Sequence, residues 1–460
     1  MSPDAEPEAV FPLPLTPFER YYQLDDSREY PTTFPVEIRF SGTLDRQHFD
    51  SALDSSVRRH PLLRARIDIS SGKPRWVPVE RTEPEVDWDD EQAPIMHAGG
   101  EFIDLASEPG LRTWVRSAPD RARVLFQFHH ACCDGLAALE FVKDFLALYK
   151  AARSEMPAGS ERGEPEYALL LRRGDFVPRP ASRPSLAVTL RDTWYTIKVW
   201  SWILIKKPVV LASGETAPVT ERTEEILAFA TSTFSQDESQ TLRERAASLG
   251  APVNDLLLRD WLLVLRRWNQ QHSGTGRGRF RINVPVSVRT RDEVRMPAAN
   301  RIGYAFVTDE GTAADDAGLL DVVLEETRRI KQWKLALYFL GGLALAGKFP
   351  SVIRWALRRN ASLATAVLSN VGRFSPARSV RRGQKWTCGD LVLERVCGAP
   401  PIRKLTRAAM IVIEYAGQTT FCLRCDPHFF SAEQTRALLD AYVAQISQTV
   451  DGNSEPDPQA

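Results

Sequence analysis

The sequence predicts an α/β chain of the α+β kind, built as two similar halves, each a mixed β-sheet with flanking helices. Three observations carry this. The 460 residues suffice for two or three domains of ordinary size. Strand-like and helix-like segments mix in both halves, with hairpins rather than a regular βαβ alternation. Between the halves, residues 151–192 are rich in Pro, Arg and Glu ("MPAGSERGEPE", "PRPASRPS") and read as a connector.

The division that follows is a disordered N-terminus over 1–10, a first half over 11–180, a linker with a Trp-rich apolar insertion over 181–224, a second half over 225–450 and a disordered tail over 451–460. In the first half, "FPVEIRFSGTLDRQHFDSALDSSVRRHPLLRARI" reads strand, turn, helix and strand. Gly42 closes the first strand, Phe49, Leu53 and Val57 recur at helical spacing, and Pro61 ends the helix. "RVLFQFHHACCDGLAALEFVKDFLALY" then gives a buried strand through Val124, Phe126 and Phe128, followed by a helix marked by Leu139, Val142, Phe145 and Tyr149. In the second half, "DESQTLRERAASLG" and "VNDLLLRDWLLVLRRWN" are helices, the latter with Asn254 as N-cap. "RFRINVPVSVRTR" is a strand emerging into a basic turn. "LVLERVCGAPP", "AAMIVIEYAGQTTFCLRCDPHFF" and "SAEQTRALLDAYVAQISQTV" read as strand, hairpin and closing helix.

Composition removes several classes. Lys+Arg and Asp+Glu are equal at 59 each, so no basic excess points to nucleic acid. The start "MSPDAEPEAVFPLPL" is acidic and proline-broken, unlike a signal peptide. Six cysteines in a chain this long fit reduced thiols and a cytoplasmic location rather than a disulfide framework. The longest uncharged apolar run, Leu335 to Gly347, stops short of the ~20 residues of a spanning helix.

Overall neutrality hides a local bias. From Thr327 to Gly389 there are thirteen Lys/Arg and no acid; Thr193 to Gly214 holds three lysines and three tryptophans, again without an acid. Two readings stand for such Trp- and Leu-rich basic stretches: core, or peripheral contact with an anionic membrane.

The chemistry concentrates in "HHACCDG", His129 to Gly135, at the junction of strand and helix. A histidine at a strand end points into the space beyond the sheet, where α/β proteins keep their chemistry. Read singly, each residue has a plainer role: a core histidine bonded to backbone, and an Asp134 that caps the helix. Together, His-His-x-x-x-Asp-Gly on a strand–loop–helix segment resembles the active-site signature of the acyltransferase superfamily that includes chloramphenicol acetyltransferase, peptide-synthetase condensation domains, plant alcohol acyltransferases and bacterial wax-ester synthases. "PLTPFERYYQLDD", "RRHPLLRARI", "VPVSVRTRDEVRMPAANRIGYAF" and "LSNVGRF" are similar to other stretches of these enzymes, so the resemblance spans about residues 11–447. No Asp-Phe-Gly-Trp-Gly appears, which argues against the plant branch.

This resemblance implies two chloramphenicol-acetyltransferase-like subdomains meeting in a V-shaped cleft, with an active-site tunnel between them. It implies direct acyl transfer from an acyl-CoA or an acyl carrier protein's phosphopantetheine thioester, used as co-substrate, with no permanently bound cofactor. His130 is then the base, His129 on the opposite strand face a structural hydrogen-bonder, and Gly135 the residue that lets the loop pass close to the channel. Asp134 pairs with an arginine, Arg289 first and Arg64 second. Asn300 and Gly303 form an Asn-x-x-Gly turn, and Ser369 and Asn370 are candidate oxyanion or substrate contacts. The Trp-rich insertion favours a lipid-like acyl chain or alcohol, and with it O-acyl transfer. Amide formation on carrier-bound substrates with a small amine acceptor, or a catalytically silent binding module, are the alternatives.

Three rival sites are weaker on spacing and geometry. His129, His130 and Asp134 lack the spacing of a facial iron site or a zinc helix. Cys422-x-x-Cys425-x-x-His428 would put its sulfurs on opposite faces of a strand, so no metal is expected. Cys132 or Cys133 as nucleophile would need its base within hydrogen-bond reach, a geometry that adjacent loop residues seldom meet.

Overall fold

The computed structural model describes residues 7–70, 72–79, 84–154, 163–176, 186–213, 228–311, 316–347, 362–377 and 379–452. The first half runs β1 (Leu13–Pro14), α1 (Pro17–Asp25), β2 (Thr33–Ser41), α2 (Arg46–Arg59), β3 (Ala65–Asp68), β4 (Arg75–Pro78) and β5 (Val86–Asp90). It continues through β6 (Leu111–Ala118), β7 (Arg121–His129), α3 (Gly135–Ser154) and α4 (Leu186–Ile205). The second half holds β8 (Ala230–Phe234), α5 (Gln236–Ser248), α6 (Val253–Ser273), β9 (Phe280–Ser287), β10 (Ile302–Asp309), α7 (Asp316–Trp333) and α8 (Leu335–Ala346). After these come β11 (Ala366–Arg373), β12 (Thr387–Cys388), β13 (Leu391–Gly398), β14 (Ala408–Tyr415), β15 (Gln418–Cys425) and α9 (Ala432–Asp451).

Two six-stranded sheets form, ordered β12-β13-β2-β7-β6-β5 and β10-β9-β11-β14-β15-β8, beside a small sheet β1-β4-β3. Both large sheets are mixed: β5 lies parallel to β6, and β11 lies parallel to β14 and β9, while the remaining pairs are antiparallel. The α/β class with mixed sheets and flanking helices is as the sequence predicts.

Sheet membership does not follow a division at residue 224. β12 and β13 come from the second half yet complete the first sheet, β13 pairing antiparallel with β2 from Val392 opposite Ser41 to Gly398 opposite Val36. Burial drives this, because β2 is buried along most of its length and an open edge there would leave backbone groups unpaired inside the core. Gly398 permits the approach: a Cβ there would lie 2.7 Å from the Pro35 carbonyl oxygen.

Other boundaries also move. Pro7–Val10 forms one turn of 3-10 helix with Val10 buried, so this part of the N-terminus is structured; residues 1–6 lie outside the described residues, as do 453–460 of the tail. α4 begins inside the stretch read as connector. α6 takes Pro252 as its N-cap, without a side-chain cap, and Asn254 lies within its first turn, because Pro suits a helix entrance where the N–H would be unbonded. Leu335–Ala346 packs as core: Ala336, Phe339, Leu340 and Leu343 are buried against β10, α1 and α4. Among the described residues no helix is long and apolar enough to cross a membrane.

Candidate active site

β7 lies between β2 and β6 at the centre of the first sheet, its last six residues buried. It ends at His129, and the chain turns at once: the His130 N–H donates to the Thr32 carbonyl at 2.8 Å and the Cys132 N–H to the His129 carbonyl at 2.9 Å. Cys132 and Cys133 are fully buried in this turn. Gly110 makes room for the first of them, since a Cβ there would strike the Cys132 sulfur. Burial raises both thiols well above their ordinary range, so both stay protonated and neither supplies a thiolate.

His130 sits at the wall of a cavity and is buried. Burial pushes its pKa down to about 4, outweighing its own backbone and Asp134, which pull upward. The ring is therefore neutral at pH 7. Nδ1 is buried and makes no hydrogen bond among the described residues. The Tyr22 hydroxyl lies 3.2 Å from Nε2 and 2.5 Å from the Tyr304 hydroxyl. The Tyr22 and His130 rings stack with 17° between planes and 4.2 Å between centroids. The stacking brings the hydroxyl to hydrogen-bond distance of Nε2. Burial holds both phenols protonated, Tyr22 well above the usual range and Tyr304 at about 12.

Asp134 does not touch the imidazole by any hydrogen bond. Its Oδ1 accepts from the Ala137 N–H at 3.0 Å, capping α3, and from Arg289 Nη2 at 2.9 Å; its Oδ2 accepts from the Arg301 N–H at 2.7 Å. Helix cap and cross-seam ion pair thus meet in one buried carboxylate. Arg64 makes no such contact. Asn300 extends the tie: its Nδ2 donates to the carbonyls of His130 and Ala131 at 2.7 and 2.9 Å. The expected Asn-x-x-Gly turn is not formed as such. Gly303 lies inside β10, where it is required because a Cβ would sit 2.6 Å from the Ala336 carbonyl oxygen of α8.

His129 faces away from the cavity. Its Nδ1 accepts from the Ala131 N–H at 3.0 Å and its Nε2 meets Asp26 Oδ2 at 3.2 Å and Thr32 Oγ1 at 3.4 Å. Because Nδ1 is an acceptor, Nε2 carries the proton toward Asp26.

The cavity, about 280 Å³, draws its walls from both halves. Ser369 and Asn370 of β11 line it together with His130, Gly135, Tyr22, Tyr304 and Arg403. Asn370 Oδ1 is fixed by the Gly372 N–H at 2.9 Å, which leaves its NH₂ as a donor. A Cβ at Gly135 would meet nothing within 4 Å, so this glycine relieves no clash; it keeps cavity space open. Among the described lining residues there is no Asp or Glu, and the single cation, Arg403, is bound to Asp25 at 2.7 Å. Among the described residues no cluster of His, Cys, Asp and Glu is arranged for a metal ion. Cys422 and Cys425 are both buried, the former engaging Cys397 and the latter Thr435.

Two mixed sheets with a cavity between them have counterparts among known proteins. The condensation-domain family model matches residues 13–172. Over those residues the chain is similar to condensation domains, and its fold as a whole is theirs as well. The first condensation domain of the calcium-dependent antibiotic synthetase, solved with a substrate analogue, superposes with a TM-score of 0.67 at 14% identity over 96% of this chain and 97% of that one. The starter condensation domain of rhizomide synthetase, solved with C8-CoA and Leu-SNAC, gives 0.66 at 14% identity over 98% of both chains. In sequence, an uncharacterised protein of Mycobacterium tuberculosis is 26% identical over 381 residues, 78% of this chain and 83% of its own.

Condensation-type architecture explains why the sequence left Tyr22, Tyr304 and Arg301 unmarked. Tyr22 lies 108 residues from His130 and 282 from Tyr304. The local signal at Tyr22 is that of a tyrosine on the buried stripe of α1, beside Phe18 at 4.8 Å.

Proposed function

We propose that this chain transfers an acyl group from a thioester directly to an alcohol acceptor, with His130 as the base. The observation that supports this reading is a buried imidazole, kept neutral by its burial, at the wall of a cavity built between the two sheets. The acceptor hydroxyl gives its proton to Nε2 as its oxygen attacks the thioester carbonyl. The carbon–sulfur bond breaks, and the imidazolium or solvent returns a proton to the departing thiolate. Asp134, Arg289 and Asn300 position the loop that bears the base, while the Asn370 NH₂ and Ser369 hydroxyl are the nearest candidates for binding the oxyanion.

Donor and acceptor follow from the walls. Condensation domains work on phosphopantetheine-bound thioesters, and CoA carries the same arm, so either an acyl-CoA or an acyl carrier protein fits as donor. The described lining holds no Asp or Glu, so it offers an ammonium ion no ion-pair partner. A neutral alcohol needs none. Lining by Phe34, Val36, Leu139, Phe306 and Ile411 suits an apolar, lipid-like partner.

One observation favours amide formation as a second reading: tyrocidine synthase 3 of Brevibacillus parabrevis is 27% identical over 172 residues, although these are 33% of this chain and 3% of that protein. Purified protein offered acyl-CoAs of graded chain length with matched alcohols and amines separates the two. Ester is the expected product. Amide formed faster than ester would replace the first reading by the second, and no product with any pair, including carrier-bound donors, would leave a binding module.

A further inference from the structure

α4 shows an inverted pattern. A surface helix ordinarily turns its apolar stripe inward, and α4 does bury Thr196 and Ile203 against the body. Yet Leu190, Trp194, Ile197 and Ile205, spaced four, three and eight residues apart along the opposite face, are 60%, 56%, 51% and 75% exposed. This is not a loosely held helix. Trp200 stacks on Phe339 of α8 at 4.9 Å, and Gly342 leaves the space that this indole fills. The apolar face extends beyond α4, because Tyr195 sits 5.0 Å from Trp194 and 6.4 Å from Trp333, itself 53% exposed at the end of α7.

Fixed positive charge borders the patch. Lys198 lies 5.1 Å from the Trp194 ring centroid, and Lys206 and Lys207 follow the exposed Ile205, all three exposed. From Thr193 to Ser213 there is no acid. Indoles and a tyrosine beside lysines, on a helix too polar to cross a bilayer, is the composition of a segment that lies in the headgroup region.

We infer that the outer face of α4, with Trp333, seats this protein on an anionic lipid bilayer, the apolar side chains entering the headgroup boundary and the lysines meeting lipid phosphates. Charge decides between occupants: a second copy of this chain would bring Lys198, Lys206 and Lys207 against their own kind, whereas an anionic bilayer offers their complement. The seat also adjoins the cavity. Phe339, on which Trp200 stacks, touches Tyr304 at 5.1 Å and Phe306 at 6.3 Å, and both of these line the cavity. The inference stands whichever acceptor the site takes.

The test is flotation of the full chain with vesicles of phosphatidylcholine alone or mixed with phosphatidylglycerol. Flotation with the anionic vesicles, weakening as salt rises, is expected. Lys206→Glu with Lys207→Glu should cut partitioning by at least about fivefold per lysine, and Trp194→Ser with Ile205→Ser should abolish it. All four side chains are exposed, so melting temperature and the transfer rate on a soluble short-chain thioester should stay at wild-type values. Equal flotation with both vesicles, no flotation, or variants that float like wild type would overturn the inference. So would a wild-type dimer without vesicle binding that Trp194→Ser and Ile205→Ser dissociate, since the face would then belong to a second copy.

Discussion

Each half closes a hairpin with a strand that runs through a short loop into a helix, β7 into α3 and β15 into α9. Both loops carry a histidine and a fully buried aspartate, and in both the aspartate reaches across the seam: Asp134 to Arg289 and the Arg301 N–H, Asp426 to the Tyr30 hydroxyl at 3.2 Å. The histidines differ. His428 Nδ1 is bound to Asp426 of its own loop at 2.9 Å, whereas His130 lines the cavity and its Nε2 meets the Tyr22 hydroxyl at 3.2 Å. The caps differ as well. α9 is capped by Ser431 in a reciprocal box with Gln434, local and complete, while α3 is capped by an aspartate that also holds the other half. Equivalent places in two sheets have thus become a closed structural corner and an open chemical one.

The largest effect that sharpens this contrast is on rate. His130→Ala should lower acyl transfer by ~10²–10⁴-fold, while His428→Ala leaves it near wild type and His129→Ala acts through stability. Equal small losses at all three would erase the distinction between the loops.

The next is on stability. Asp134→Ala leaves two backbone N–H groups and a guanidinium without their acceptor inside the protein and should cost ~3–5 kcal/mol in denaturant unfolding. Ser431→Ala should cost ~1 kcal/mol. A double-mutant cycle of Asp134→Asn with Arg289→Ala should be non-additive, because the two groups touch at 2.9 Å. Additive losses would reduce Asp134 to a helix cap.

A third effect is on pH dependence. With His130 at about 4, kcat/KM should hold as pH falls through the ordinary histidine range near 6.5 and decline only on approaching pH 4. The unfolded chain binds a proton between those values that the folded chain does not, so His130 makes stability fall as pH drops from about 6.5 toward 4. His130→Ala should flatten that part of the stability curve. An acid limb centred near 6.5 would mean an exposed, ordinary imidazole.

The smallest effect is on selectivity. Gly135 keeps cavity space open without relieving a clash, so Gly135→Val should fold normally and shift preference toward shorter acyl or acceptor chains. Unchanged chain-length preference would move the substrate path away from α3.

The open loop was largely legible in the sequence, because its residues are contiguous and their spacing is the signal. His130 at a strand end, Asp134 before a helix and Arg289 at the close of a strand could each be read locally. Its surroundings were not. Tyr22 and Tyr304 look like ordinary aromatic core until the fold stacks one on His130 and joins it to the other. Gly303 looked like a turn residue because a glycine's reason can be a neighbour's carbonyl, here that of Ala336, which no local pattern records. Likewise β13 carries nothing that distinguishes a partner in its own half from β2, so its crossing to the first sheet emerges only from which edge needs covering. The apolar periodicity of Leu335–Ala346 and of Thr193–Ile205 looks alike, yet one is core and the other keeps an exposed face, because among the described residues only the second has no element packed over that side.

The central claim is that the open loop's histidine is the base of a direct transfer. Rapid-quench single turnover with an acyl-CoA and an alcohol, read by product and by intact protein mass, tests it most directly in wild type and His130→Ala. Ester forming in wild type without any acyl-protein intermediate, and a turnover slowed at least ~10²-fold in the variant, is the expected result. An acyl group accumulating on the protein, or a variant that turns over at the wild-type rate, would contradict it.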